Sequence, residues 1–273
     1  MSRTIAGALS GLVAGATAWM KPYRRAMTRA LVAERLAQRI SIPTAGGALH
    51  FETPSARSLH DPWSLYDNEP ETIRWLDSLP PGAVVWDIGA NIGVYALYAA
   101  RARNLQVVAF EPSASSYAVL TRNIEINGLS DCIAAYCLAL SGDSRLDYLN
   151  MAHTEAGHSM HALGENRTVE GAFDPIFRQA TAGFTIDRFC ELFAPPLPAH
   201  IKLDVDGIES AILAGGHETL SRHTETVLVE IAGDSGPGIR QILTTLGFTE
   251  DTQFAIAETR RNILFRRQTG DPP

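Results

Sequence analysis

The sequence predicts an α/β protein built on a mostly parallel sheet with helices on both faces. Three observations predict it. Short apolar runs alternate along the body of the chain with amphipathic helical segments, as strands covered on both faces do. One of these runs, VVWDIGANIGVYALYAA over 84–100, passes from strand through closely spaced glycines into helix, a junction at which a backbone can approach a ligand. The chain has 273 residues, 45% hydrophobic and 19% charged, so it can bury a full core and is not a disordered protein.

Residues 1–45 read as a helical, basic arm and residues 46–270 as the folded domain. The run IAGALSGLVAGATAWM is uncharged, but its 16 residues fall short of the roughly 20 that a membrane span needs. Gly7, Gly11 and Gly15 give one helical face of small residues. KPYRRAMTRALVAERLAQRI then reads as a basic amphipathic helix. The arm fits a docking helix or shallow membrane association better than a signal peptide. The net charge of −7 divides into +6 over residues 1–40 and −13 over the rest. An acidic body is a poor partner for nucleic acid, whereas a basic arm suits an anionic membrane surface or an acidic partner. Cys132, Cys137 and Cys190 show neither paired nor metal-ligand spacing, which fits a reduced, cytoplasmic compartment.

Within the domain, GGALHFET (46–53) alternates like a strand or half of a hairpin. A helix follows, with Asn68 as its cap and Pro70 in its first turn, and it stops before Pro80, Pro81 and Gly82. Strands are expected at 83–89, 106–112, 132–140, 200–206 and 226–231. Helices are expected at 92–103, 113–126 (stopped by Asn127-Gly128), 186–193, 208–213 and 238–247. Residues 141–184 lack periodicity and read as loops or a small hairpin insertion. The chain closes with two strands near 253–257 and 262–267, too close together for a helical crossover.

The glycine loop resembles the dinucleotide fingerprint in position but not in spacing, because Ala90 and Asn91 stand between Gly89 and Gly93. Asp87 ahead of the loop is awkward beside a diphosphate and suits an ammonium. Glu111, ending the next strand, can accept both hydroxyls of a ribose. A ribose, an ammonium and little phosphate describe S-adenosylmethionine. On the simpler alternative, Gly89 and Gly93 only allow tight helix–strand packing.

VVWDIGANIGVYALYAA, VVAFEPSASSYAVLTRNIEINGL, ALSGD and IKLDVDGIESAILAGG, in this order over about 65–232, resemble the FkbM family of S-adenosylmethionine-dependent methyltransferases. The resemblance implies a class I methyltransferase fold, a Rossmann-like, seven-stranded sheet with one antiparallel strand. It also implies O-methylation of a small metabolite, polyketide precursor or sugar. Carried over by position, it implies that Asp87, Gly89, Ala90, Asn91 and Gly93 line the methionine portion and that Glu111 holds the ribose. Pro112 and Ser113 would shape the adenine side, and Ala139 would flank the adenine. Glu69 would close over the cofactor, although a charge in a first helical turn explains it equally well. The commonest family form has Glu at the position of Asp206 and Ala at that of Ile208, which changes the acceptor side.

In IKLDVDG, alternation puts Lys202, Asp204 and Asp206 on one face of a covered strand, where charges need each other or a ligand. Asp87 and Glu230 are expected beside this stripe, with Lys202 offsetting some of the carboxylates. Asp204 and Asp206 are the candidate catalytic groups, because ligands of open α/β sheets bind at strand carboxyl ends. His153, His158 and His161 crowd one loop, with His158 the candidate base. No metal is expected. Lys202 competes for the carboxylates that Mg²⁺ would take, and His158 and His161 bring no third zinc ligand in sequence. The readings that compete with O-methylation are N-methylation and a noncatalytic or membrane-docked cofactor-binding scaffold. The N-P-P-[YF]-type segment of many amino-methylating enzymes is absent after strand four, where DVDG stands. Neither the acceptor nor the oligomeric state is legible.

Overall fold

A computed structural model describes residues 1–168, 171–231, 235–254 and 262–268. The chain divides into two compact units, Met1–Arg39 and Ile40–Pro273. The first holds two helices, α1 (Ser2–Thr17) and α2 (Pro22–Leu36). Pro22 opens α2 at a position that needs no amide hydrogen. Arg29 Nε of α2 donates to Thr17 Oγ1 at 2.9 Å, joining the two helices. Among the described residues no helix is long and apolar enough to cross a membrane.

The second unit begins with paired strands β1 (Arg39–Ile42) and β2 (Leu49–Glu52). Helix α3 (Ala56–Trp63) was not expected. It starts at Ser55, whose hydroxyl accepts from the Ser58 amide in a reciprocal capping box. Helix α4 (Pro70–Ser78) is capped at Glu69 rather than Asn68. The core then runs β3 (Val84–Ile88), α5 (Val94–Arg103), β4 (Gln106–Phe110), α6 (Ala114–Asn127) and β5 (Ile133–Tyr136). Ser113 caps α6, and Gly128 ends it in the left-handed conformation that glycine adopts without penalty.

The third expected strand is divided. Its first half is β5, whereas β6 (Ala139–Leu140) joins a separate four-stranded sheet with β7 (Arg145–Met151), β8 (His161–Leu163) and β11 (Phe177–Phe184), in the order β6-β11-β7-β8. A two-residue pair, β9 (Arg167–Thr168) and β10 (Gly171–Ala172), lies within this insertion. The segment read as loops or a small hairpin is therefore largely a second sheet. After it come α7 (Ile186–Phe193), β12 (His200–Leu203), α8 (Glu209–Ala214), α9 (His217–His223), β13 (Thr226–Glu230) and α10 (Gly236–Thr245). Helix α9 was not expected. The chain closes with β14 (Phe248–Glu250) and β15 (Asn262–Arg267). The penultimate strand thus precedes the expected 253–257. Residues 252–254 form a turn, and 255–257 lie outside the described residues.

The main sheet has seven strands in the order β14-β15-β13-β12-β3-β4-β5. β15 runs antiparallel to both neighbours, and β13, β12, β3, β4 and β5 are mutually parallel. This is the expected seven-stranded class I methyltransferase sheet. Chain order reverses between β3 and β12, the switch point at which open α/β sheets bind ligands.

Side chains alternate between two cores. Val85, Val107, Ala109 and Leu228 pack with α4, α5 and α6, whereas Trp86, Val108, Phe110, Ile201 and Val227 pack with α7, α8 and α10. Trp86 is fully buried, 5.0 Å from Phe110 and 5.9 Å from Phe189 between ring centroids, and its Nε1 donates to Pro196 O at 2.9 Å. Trp86→Ala removes the largest side chain of this core and orphans that carbonyl. It is expected to cost about 3–5 kcal/mol, measured as a lowered midpoint of urea unfolding at unchanged slope. A loss below about 1 kcal/mol would show that the second core collapses around the gap.

Candidate active site

The ends of β3 and β12 are locked together at the switch point. Gly89 has φ +88°, and a Cβ there would overlap the Asp204 carbonyl oxygen. Asp204 N donates to Ile88 O, and the amides of Gly89 and Ala90 both donate to Phe110 O, each at 3.0 Å. Gly89 is thus required both for its conformation and for the passage of the neighbouring chain. Gly93 has a packing role, since a Cβ there would meet Leu97 and Leu120. Between them Asn91 takes φ +51°, which turns its amide onto Glu111 Oε2 at 2.8 Å. The Ser113 amide donates to Glu111 Oε1, also at 2.8 Å. Burial raises the Glu111 carboxyl to about 7 against these two hydrogen bonds.

In front of this edge lies a cavity of about 610 Å³, within the range that small molecules occupy. Gly89, Asn91, Glu111 and Pro112 line it on the main-sheet side, and Ala139 of β6 adjoins them. Asp204, Asp206, His158 and His161 also line it. Glu69, Asp87, Ala90, Gly93 and Ser113 do not. Ser113 acts one step back, through its amide on Glu111 and as the cap of α6.

Asp87 and Glu69 belong to a cluster centred on Lys202, on the α4–α5 face of the sheet. Lys202 is buried and pairs in register with Asp87. Its Nζ lies 2.6 Å from Asp204 Oδ2, 3.8 Å from Glu69 Oε2 and 5.0 Å from the centre of the Tyr95 ring. Burial opposes the ammonium, but Asp204, Glu69 and Asp87 together raise its pKa well above the ordinary lysine value. The expected partnership of Asp87 with Lys202 is thus present. Burial, opposed by Lys202, lifts the Asp87 carboxyl to about 6. Burial also raises Glu69, whose Oε2 accepts from Thr72 Oγ1 at 2.7 Å. Glu230 goes up to about 8, through burial and then through the charge of Asp204 and a hydrogen bond to it. Tyr95 escaped the sequence reading, although its position two residues after Gly93 places it on the first turn of α5.

The expected polar stripe exists only in part, because β12 ends at Leu203. Asp204 and Asp206 sit on the following turn, where alternation no longer applies, and they diverge in role. Asp204 faces Lys202, whereas Asp206 Oδ2 accepts from the amides of Met160 (2.5 Å) and His161 (3.2 Å). Both ring nitrogens of His161 are buried without a hydrogen-bond partner among the described residues, and burial pushes this imidazole down to about 4. His158 stacks on His153 with ring centroids 4.3 Å apart.

The donor groups suit an adenosine-bearing cation. Glu111 lines the cavity, and an ionised carboxylate offers about four acceptor sites, of which the two backbone amides use two. Asn91 Oδ1 is buried without a partner among the described residues. Leu138, Ala139 and Pro112 add an apolar wall. Sheet order and the glycine loop at its switch point are those of a class I S-adenosylmethionine-dependent methyltransferase.

The methyltransferase FkbM domain profile matches residues 87–250. The chain belongs to the FkbM methyltransferase family. It is 27% identical over 216 residues to methyltransferase sdnD of Sordaria araneosa, covering 67% of this chain and 83% of that one. It is also 27% identical over 189 residues to the hexuronic acid methyltransferase AglP of Haloferax volcanii, covering 67% and 71%. The crystal structure of methyltransferase FkbM from Methylobacillus flagellatus KT superposes with a TM-score of 0.48 at 14% identity, covering 69% of this chain and 44% of that longer one.

The carboxyl cluster sets a pH dependence. A carboxyl raised to about 8 in the fold, against 4.5 outside it, contributes stability that is complete below pH 4.5 and is lost as pH rises through 8. The cofactor-free protein should therefore melt at lower temperature at pH 9 than at pH 6. Glu230→Gln keeps a neutral hydrogen-bonding group and should flatten that decline, with a gap at pH 9 on the order of 2–4 °C in Tm. Parallel curves for the two proteins would remove Glu230 from the titration.

Proposed function

We propose that the chain is an O-methyltransferase that places the methyl group on a hydroxyl of a small metabolite or sugar. One observation carries this reading. Asp204 lies on the cavity wall at the carboxyl end of β12, with its carboxylate fixed 2.6 Å from the Lys202 ammonium. The similarity to a hexuronic acid methyltransferase supports a carbohydrate acceptor.

S-adenosylmethionine, when bound, supplies an activated sulfonium methyl. The chain's own work is alignment, the exclusion of water and handling of one proton. Glu111, Pro112 and Ala139 hold the adenosine end, Asn91 faces the methionine end, and Gly89 keeps the loop backbone open to the ligand. Asp204 accepts the hydroxyl proton as the acceptor oxygen attacks. Lys202 holds the Asp204 carboxylate in place. Asp206 acts by position, since it pins the loop that carries His161 over the cavity. His158 is the weaker candidate base, because its ring is stacked on a second imidazole at the rim.

The test is transfer of labelled methyl to a panel of hydroxylated metabolites, hexuronates and amines. Asp204→Asn is expected to lower kcat by about 10²-fold or more while S-adenosylmethionine affinity, read by calorimetry, stays within about threefold. Unchanged turnover would demote Asp204 to a structural role. Labelling of amines but not of hydroxyls would overturn O-methylation.

We also infer that residues 1–40 make a peripheral contact with an anionic membrane surface from the cytoplasmic side. The net charge of +6 over these residues supports it. The intact chain should float with phosphatidylserine vesicles at low salt, and a chain lacking residues 1–39 should not. Equal flotation of both would remove the arm from membrane contact.

A further inference from the structure

Two side chains that the proposed methyl transfer leaves unused, His153 and Glu155, meet His158 where it lines the cavity. His153, Glu155 and His158 each bring one ligand atom into a group whose members all lie within 4.8 Å of one another. In sequence, His158 and His161 bring no third zinc ligand. The turn brings His153 to His158 instead, with Glu155 as the third member. Two imidazoles and a carboxylate form a ligand set that suits zinc and its transition-metal neighbours, whereas Mg²⁺ prefers oxygen alone.

The turn that carries them is held from four directions. Ser55 Oγ, at the start of α3, donates to Ala156 O at 2.8 Å. Arg57 Nε of α3 and Asn91 Nδ2 of the glycine loop both donate to Gly157 O at 3.2 Å. Gly157 N donates to Ser116 Oγ of α6 at 3.2 Å, and Asp206 holds the amides just beyond the turn. Gly157 itself has φ +91°, and a Cβ there would run into the Ser58 backbone. A solvated loop needs no such anchoring. A metal site does, because its ligands must be held near their final positions before the ion arrives.

We propose that His153, Glu155 and His158 bind one divalent transition-metal ion, zinc by preference, at the rim of the acceptor cavity. Bonds of about 2.0–2.2 Å require the ligand atoms to draw closer than they stand now. His153 and Glu155 are exposed, so their side chains have room to turn toward a shared ion. Three protein ligands leave a position for water or for an oxygen of the acceptor, as catalytic zinc sites do. His158 is the link to the cavity, which it lines.

The experiment is a titration of the untagged, full-length, metal-free protein with Co²⁺, followed by visible absorption and then by displacement with Zn²⁺. One saturable site per chain is expected. His153→Ala and Glu155→Ala, both at exposed positions, should each weaken Zn²⁺ binding at least about tenfold, the low end of what even an outer-sphere partner is worth. Calorimetry with S-adenosylmethionine checks that both variants are folded. The absence of a saturable site, or undiminished affinity in both folded variants, would overturn the proposal. The readout needs neither acceptor nor turnover, so it stands or falls separately from the O-methyltransferase reading.

Discussion

The site is organised around one buried ammonium. Lys202 emerges from the middle of the sheet into an otherwise apolar layer, where an unpaired charge would be prohibitive. Asp87 on the adjacent strand, Glu69 at the cap of α4 and Asp204 past the strand end supply the compensation, and Tyr95 offers its ring face. Each comes from a different element, so the cation fixes the relative positions of β3, β12, α4 and α5 at the ligand-binding edge. More carboxylates gather here than one cation can offset, and the carboxyls of Glu230, Asp87 and Glu69 are raised by their burial first and by the neighbouring Asp204 charge second. Asp204 is the member of this group that also reaches the cavity.

Much of this was legible in the chain. The alternation of apolar runs and helices gave the parallel core, because strands covered on both faces leave a strong pattern. The glycine loop and Glu111 were legible because a tight strand-to-helix crossing restricts which residues can stand there. The charge pattern of IKLD correctly announced that Lys202 needed partners. The same pattern put Asp87 beside it, because residues at equal depth on neighbouring strands of this sheet face one another.

The insertion was the least legible part. Its strands pair with each other rather than with a helix-covered core, and much of their outer surface is exposed, with Leu146 86% and Phe177 51% accessible. No apolar period marks such strands. The role of Asp206 was hidden for a related reason. Its partners are the backbone amides of Met160 and His161, and backbone groups leave no trace in a residue pattern. The turn bearing His153, Glu155 and His158 is likewise positioned by Ser55, Arg57, Asn91 and Ser116, four residues remote from it in sequence.

The strands at which the insertion leaves and returns are hydrogen-bonded to one another. Ala139 pairs with Gly183 and Leu140 with Phe184, side by side and parallel. The segment between is therefore a closed excursion whose two ends are clasped before it starts. Between those ends the lobe is moored to the rest of the domain by Ser55, Arg57, Asn91, Ser116 and Asp206 at its 153–161 stretch, and by Gln179, which bridges Ala114 N and Pro112 O. One flank of the cavity therefore rests on the seven-stranded sheet and the other on a lobe fixed at its clasped ends and at these moorings, so a change of length elsewhere in the lobe need not pull on the sheet.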